Sequence, residues 1–426
     1  VTLLLGLSFL ILLLVGAPVA VALGGSSLLY VVLSGDLPAL VVAHRMANGI
    51  DSFPLLAIPF FIMAGSLMNS AGITERVYAF ALTLVGWMRG GLGHVNVVGS
   101  VIFAGMSGTA VADAGGLGNI EIKAMRDHGY DMEFAVGITG ASSTIGPIIP
   151  PSLPMVIYGV MANASIGQLF AAGLIPGVVM ALCMMAMVTW YAHRRGFPRD
   201  TDFSFARIGR SFVRAFLPLM TPVILIGGMT SGAFTPTEAA IAATAWALFI
   251  GVFVYRTMGV RRLVRVTMET IETSAIVLMI VAGASIFGWL ITTTRVTEAI
   301  AEAVLSLTTD RNLLLLLINL FLLVVGCFME TIAAITILVP VLLPLVTKVG
   351  VDPVHFGVIM VLNLMIGLLT PPVGMVLFIL SRISGLSFER TTAAVLPFLL
   401  PLLASLALVT WWPAMVLYLP TVFYRS

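Results

Sequence analysis

The chain has 426 residues, of which 60% are hydrophobic and 9% charged, and a formal net charge of +2. A soluble domain averages roughly 45–50% apolar and about 25% charged residues, so this composition excludes an ordinary soluble fold and predicts an all-α polytopic membrane protein. At about 20 apolar residues per spanning helix, the length allows on the order of a dozen membrane segments, shorter re-entrant pieces included.

Residues 1–49 read as N-terminal membrane helices. The opening VTLLLGLSFLILLLVGAPVAVA ends in small residues, as a signal peptide does, but lacks a positive n-region and is expected to be retained as a helix. Residues 50–192 form a first repeat unit. Within it, GMSGTAVADAGG from Gly105 and IGPIIPPS ending at Ser152 put glycine, proline, hydroxyls and a carboxylate into apolar sequence. Backbone freed at bilayer depth must be buried in protein or line a cavity, so such breaks mark ion and substrate sites.

Residues 193–214 form a linker with six arginines and two aspartates, expected on the cytoplasmic side by the positive-inside bias. A second basic loop carries Arg256, Arg261, Arg262 and Arg265, so residues 215–269 read as a central helical hairpin plus that loop. Inside it, Thr235-Pro236-Thr237-Glu238 has the pattern of a capping box, a structural role for Glu238. Residues 270–410 repeat the first unit, with GCFMETIAAITI from Gly326 and IGLLTPPV from Ile366, and residues 411–426 close the chain.

Sliding residues 105–152 onto 326–373 without a gap pairs Gly105 with Gly326, Gly129 with Gly350, Asp131 with Asp352, Gly146 with Gly367, and Pro150-Pro151 with Pro371-Pro372. Glycine and proline set backbone geometry, which makes these matches a duplication of architecture. In the first unit Ser107, Gly108 and Thr109 face a partner break of Ser142, Ser143, Thr144, Gly146 and Pro147, an oxygen set suited to a hard cation such as sodium. Small residues that merely allow close helix packing fit the same pattern. At equivalent positions the second unit has Glu330 for Thr109 and Asn363 for Ser142, with Thr331, Gly367 and Thr370 nearby. An ionisable residue at membrane depth is a functional candidate by default, although Glu330 can also act by closing a hairpin tip.

The blocks GMSGTAVADAGG, ITGASSTIGPIIPPS, GAFTPTEAA and LTPPVG, in this order, resemble the large membrane subunit of a tripartite ATP-independent periplasmic (TRAP) transporter over essentially the whole chain. The resemblance implies the ion-transporter superfamily fold of inverted repeats, with two re-entrant hairpins and two broken helices in an elevator-type transport domain moving against a scaffold. It also implies a multi-pass protein of the bacterial inner membrane, sodium as coupling ion with no other cofactor, and two partners: a small four-helix membrane subunit and a periplasmic substrate-binding protein. Both ends of the chain close on the repeat fold, so the small subunit is expected as a separate chain.

Carried over, the hairpin tips fall at Ser107 to Thr109 and Met329 to Thr331, and the helix breaks at Ser142 to Pro147 and Asn363 to Thr370. An organic-acid substrate then lies within reach of Ser107, Thr109, Asp113 and Ser152. Neither tip contains arginine or lysine, so dipoles, bound sodium or a basic residue from elsewhere must hold the anion. A self-sufficient sodium/anion symporter of the same superfamily is the alternative. Enzyme chemistry has no foothold: Cys183 and Cys327 form no CxxC pair, the five histidines show no zinc spacing, and no GxSxG occurs. The small net charge gives no case for nucleic acid, and lipid is the surrounding partner.

Overall fold

The structure is a computed structural model that describes residues 2–35 and 37–424, and its named elements are all helical. In chain order they begin with α1 (Thr2–Leu14), α2 (Val19–Ser34), α3 (Leu40–Ile50), α4 (Ala57–Ser70) and α5 (Ile73–Val85). Next come α6 (Gly91–Ser107), α7 (Ala110–Gly115), α8 (Leu117–Asp127), α9 (Met132–Ser143), α10 (Leu153–Ala162) and α11 (Ile166–Arg195). Two central helices follow, α12 (Phe205–Thr230) and α13 (Pro236–Phe249). The second half holds α14 (Val260–Thr293), α15 (Val296–Leu307), α16 (Arg311–Phe328), α17 (Thr331–Lys348) and α18 (Pro353–Gly367). It ends with α19 (Met375–Ser384), α20 (Phe388–Val395), α21 (Leu399–Trp411) and α22 (Pro413–Tyr424).

Among the described residues, eight helices are long and apolar enough to cross a membrane, and seven shorter apolar helices accompany them. The short ones include α6, α10, α18 and α19, the pieces flanking the hairpin tips and breaks. The protein is therefore a multi-pass membrane protein in which much of the apolar sequence is spent on half-length segments.

The duplication has a structural reason at most matched positions. Gly129 and Gly350 both turn the chain through a left-handed conformation, φ 76° and φ 78°, which glycine adopts without a Cβ clash. Asp131 and Asp352 follow as N-caps of α9 and α18, each carboxylate accepting backbone N–H bonds. The Pro150-Pro151 and Pro371-Pro372 bonds are both cis. One helix upstream of each hairpin a left-handed corner also recurs, at Gly72 before α5 and Arg295 before α15. The exception is Gly105, which packs against Pro222 of α12, whereas its counterpart Gly326 packs against the backbone of Gly367.

Helix α14 packs along α2, α3 and α4, while α13 lies against α4 and α12, which gives one helical group. In the other group the first arm of each hairpin lies on the helix before its own break, α6 on α9 and α16 on α18. The return arms cross over: α7 packs on α19 and α17 on α10. Each hairpin's return arm is thus brought against the half-helix that follows the other repeat's break, while its tip stays at the break of its own repeat.

The basic linker is shorter than the sequence suggests. Residues 193–195 finish α11 and residues 205–214 begin α12, because Ser204 caps the new helix by accepting from the Arg207 N–H. Residues 260–269, read from sequence as the end of the segment holding the central hairpin and its basic loop, belong to the long helix α14. The capping box at Thr235 and Glu238 is formed in both directions.

Candidate functional site

Helix α6 ends at Ser107, Gly108 reverses the chain at φ 64°, and Thr109 caps α7 by accepting from the Ala112 N–H at 3.2 Å. The tip docks backbone to backbone on the first break, since the Leu153 N–H donates to the Gly108 carbonyl. A Cβ at Gly108 would sit 2.8 Å from the Pro151 carbonyl oxygen, so both the turn and the close approach require glycine here.

At the break, Ser143 and Thr144 donate back to the carbonyls of Gly140 and Ala141, and Ser142 donates to Asn96 Oδ1. Ser152 caps α10 and donates to the Pro147 carbonyl. These hydroxyls give up their hydrogens locally and keep oxygen lone pairs. Two buried polar atoms at the tip have no protein partner: Ser107 Oγ and Asp113 Oδ2. The other Asp113 oxygen accepts from Ser100 at 3.4 Å. Both unpartnered atoms converge on Gly146: a Cβ built there would lie 3.4 Å from the Ser143 carbonyl oxygen, 3.6 Å from Asp113 Oδ2 and 3.8 Å from Ser107 Oγ. A carboxylate, a hydroxyl and a carbonyl around one bare backbone position form an oxygen cradle of the kind hard cations take.

The second tip is built differently. Helix α16 ends at Phe328, Met329 is extended, and Glu330 caps α17, with Oε2 accepting from Ile332 N–H at 2.9 Å and Ala333 N–H at 3.1 Å. Thr109 and Glu330 are therefore structural equivalents, both first caps of a return arm. The adjacent Thr331 Oγ1 is buried without a partner. Asn363 sits inside α18, four residues before its end at Gly367, rather than in the break itself. Its amide donates to Asn319 Oδ1 at 2.9 Å and to the Asn319 carbonyl at 3.0 Å, and its own Oδ1 is buried and unpartnered. Thr370 donates back to Ile366. A Cβ on Gly367 would fall 2.5 Å from backbone atoms of Gly326, so the hairpin and the broken helix touch through bare backbone.

The two tips share a cavity of about 50 Å³, lined by Thr109, Pro147 and Leu153 from the first repeat and Glu330, Thr331 and Met365 from the second. Of the four substrate candidates, Thr109 lines this cavity, whereas Ser107, Asp113 and Ser152 do not.

Three polar residues escape sequence reasoning. Asn96 on α6 links Thr139 and Ser142 on α9, and Asn319 on α16 links Asn363 on α18 to Thr410 on α21. Each repeat thus ties the first arm of its hairpin to the helix before its break through an asparagine. The signal was a lone amide in an apolar run, GLGHVNVVGS and LLLLINLFLL. Glu121 on α8 is 1% exposed and neither of its oxygens has a partner. Asn319→Leu is expected to leave the Asn363 amide short of one acceptor, costing about 1–3 kcal/mol. A lowered thermal midpoint of the purified protein checks it, and an unchanged midpoint counts against the tie.

The family model for the tripartite ATP-independent periplasmic transporter, DctM component, matches residues 7–415. The chain belongs to this family. It is 48% identical to the sialic acid TRAP transporter large permease protein SiaM of Vibrio cholerae, over 97% of this chain and 96% of that one. With the sialic acid TRAP transporter permease protein SiaT of Haemophilus influenzae it shares 42% identity over 97% of its own length and 67% of the relative's. Among solved structures, the YdaH transporter of Alcanivorax borkumensis, described as having an unusual topology, aligns with a TM-score of 0.63 over 88% of this chain and 87% of that one at 14% identity. That likeness is one of fold, and it extends to the helical architecture of this DctM-family chain.

Proposed function

We propose that this chain is the large permease subunit of a sodium-coupled importer of a small organic acid in the bacterial inner membrane. It works with a small four-helix membrane subunit and a periplasmic binding protein that delivers the acid. The observation that carries the sodium reading is the cradle at Gly146, where the buried and unpartnered Ser107 Oγ and Asp113 Oδ2 meet the Ser143 carbonyl. A buried polar atom without a partner costs roughly 1–3 kcal/mol, and a cation bound between these oxygens removes that cost. Thr331 Oγ1 and Asn363 Oδ1, also unpartnered, supply oxygens for the second repeat.

The family supports the partners, and the names of the relatives make sialic acid the first substrate to try. The substrate lies between the tips, where Thr109 and Glu330 face the shared cavity. Ligand pockets commonly measure about 300–1,000 Å³, against the 50 Å³ between these tips, so the substrate enters a state in which the tips stand further apart. An elevator movement of the hairpins and broken helices against the α2–α4 and α12–α14 group provides such states. Glu330 adds a carboxylate beside an acidic substrate, and bound sodium offsets the repulsion between them.

Uptake into proteoliposomes is expected to need an inward sodium gradient, the small subunit and the binding protein together. Uptake that persists after the gradient is collapsed refutes sodium coupling. Full uptake by this chain alone favours the self-sufficient symporter instead.

A further inference from the structure

The linker between α11 and α12 is a pinned strap. Its Asp200 carboxylate accepts from the Leu92 N–H at the start of α6 and from the Tyr130 hydroxyl at 2.6 Å. Burial first, then the Asp200 bond, pushes the Tyr130 phenol up, so Tyr130 stays the donor. Backbone bonds from Asp200 and Thr201 to the Gly86 carbonyl hold the strap further.

Beyond this strap, α5 and the first turns of α12 line an open-mouthed recess of about 410 Å³. Arg207, Arg210 and Arg214 line it at helical spacing, with Thr83 and Ser211 between them and Asp202 as the acidic lining residue. None of the three arginines is ion-paired among the described residues. Thr201 Oγ1, also at the recess, is buried and unpartnered. A flat solvated basic face would hold the arginines alone; here they share a concave lining in which Arg207 donates to the Asp202 carbonyl at 2.6 Å and the Thr83 and Ser211 hydroxyls bond each other at 2.7 Å.

The neighbouring face of the same helix end is apolar and exposed: Phe205 80%, Val213 74%, Phe212 43% and Phe216 42%. Trp87, 37% exposed and packed on Phe203 of the strap, is the kind of aromatic residue that marks headgroup depth, and the arginine excess marks the cytoplasmic leaflet. Cationic recesses between helices at that level suit anionic lipid headgroups. We infer that the recess between α5, the strap and α12 binds the phosphodiester of an anionic inner-leaflet phospholipid, with its acyl chains lying on Phe212 and Phe216. The guanidinium groups take the phosphate oxygens, and Asp202 is placed to accept from a headgroup hydroxyl, as phosphatidylglycerol offers. A free phosphate satisfies the arginines and makes no use of the phenylalanine face, which decides for lipid.

The test is native mass spectrometry of the purified chain against phosphatidylglycerol and phosphatidylcholine, with thermal unfolding in parallel. Wild type is expected to retain phosphatidylglycerol selectively. One basic residue at an anionic surface strengthens binding about fivefold, so Arg210→Gln with Arg214→Gln should weaken retention about 25-fold. Arg261→Gln with Arg265→Gln removes the same charge from the other basic segment and should stay within about twofold of wild type. Should the first pair fail to fold, Ala79→Phe fills the recess while sparing the arginines, and it should lose retention equally. The proposal is overturned if the recess variants retain the lipid as wild type does, if the control pair loses it as strongly, or if millimolar inorganic phosphate stabilises the protein as much as the lipid does.

Discussion

Gly146→Ala is expected to fold normally and to lose most sodium-driven uptake. The added methyl meets the Ser143 carbonyl, Asp113 Oδ2 and Ser107 Oγ at 3.4 to 3.8 Å, which is ordinary contact, and Gly146 does not need a left-handed backbone. Gly→Ala at a compatible position changes stability by only about 0.4–1 kcal/mol, in the favourable direction. The methyl nevertheless fills the space those three oxygens surround and cannot ligate. Apparent sodium affinity should fall at least tenfold, about 1.4 kcal/mol, with the thermal midpoint unchanged or raised.

Ser107→Ala, which removes one oxygen and adds no bulk, should give a smaller loss, about 1 kcal/mol, that high sodium restores. Gly367→Ala is the steric contrast. Its methyl collides with the Gly326 backbone at 2.5 Å, so it should lower the thermal midpoint, by overpacking that costs about 1–3 kcal/mol. If Gly146→Ala keeps wild-type sodium dependence in transport-competent liposomes, the cradle is not the coupling site.

These positions differ in how far the sequence exposes them. The tips and breaks were legible because a break requires residues with special backbone behaviour: Gly108 and Gly129 for positive φ, Asp131 and Asp352 for caps, Thr109 and Glu330 as equivalent first caps. Local chemistry of that kind is written in a few consecutive residues. The asparagine ties were not legible, since Asn96 meets Ser142 and Asn319 meets Asn363 across 46 and 44 residues, and only packing brings them together. Glu121 shares α8 with Lys123, Arg126 and Asp127, and nothing in LGNIEIKAMRD tells which charge turns inward. The gapless register pairs Asn363 with Ser142 and so puts it in the break, but α18 runs on to Gly367, whereas α9 stops at Ser143.

Glu330 separates two roles that its position allows. Both tip bonds go to Oε2, and Oε1 has no protein partner among the described residues although Glu330 lines the cavity between the tips. In Glu330→Gln the amide oxygen can replace Oε2 on the Ile332 and Ala333 N–H groups, so the cap survives while the charge and the second acceptor are lost. The variant should fold, show a sodium dependence shifted by about 10- to 100-fold, as expected for a contact to a charged group worth roughly 1.5–3 kcal/mol, and recover at high sodium. Glu330→Ala also removes the cap, at about 0.5–2 kcal/mol, so its tip is loosened and saturating sodium should not restore the rate. Uptake measured against sodium concentration for both variants distinguishes the roles: an unshifted curve for Glu330→Gln beside a damaged Glu330→Ala reduces Glu330 to a helix cap, whereas a shifted and rescuable Glu330→Gln places its free oxygen on the ion.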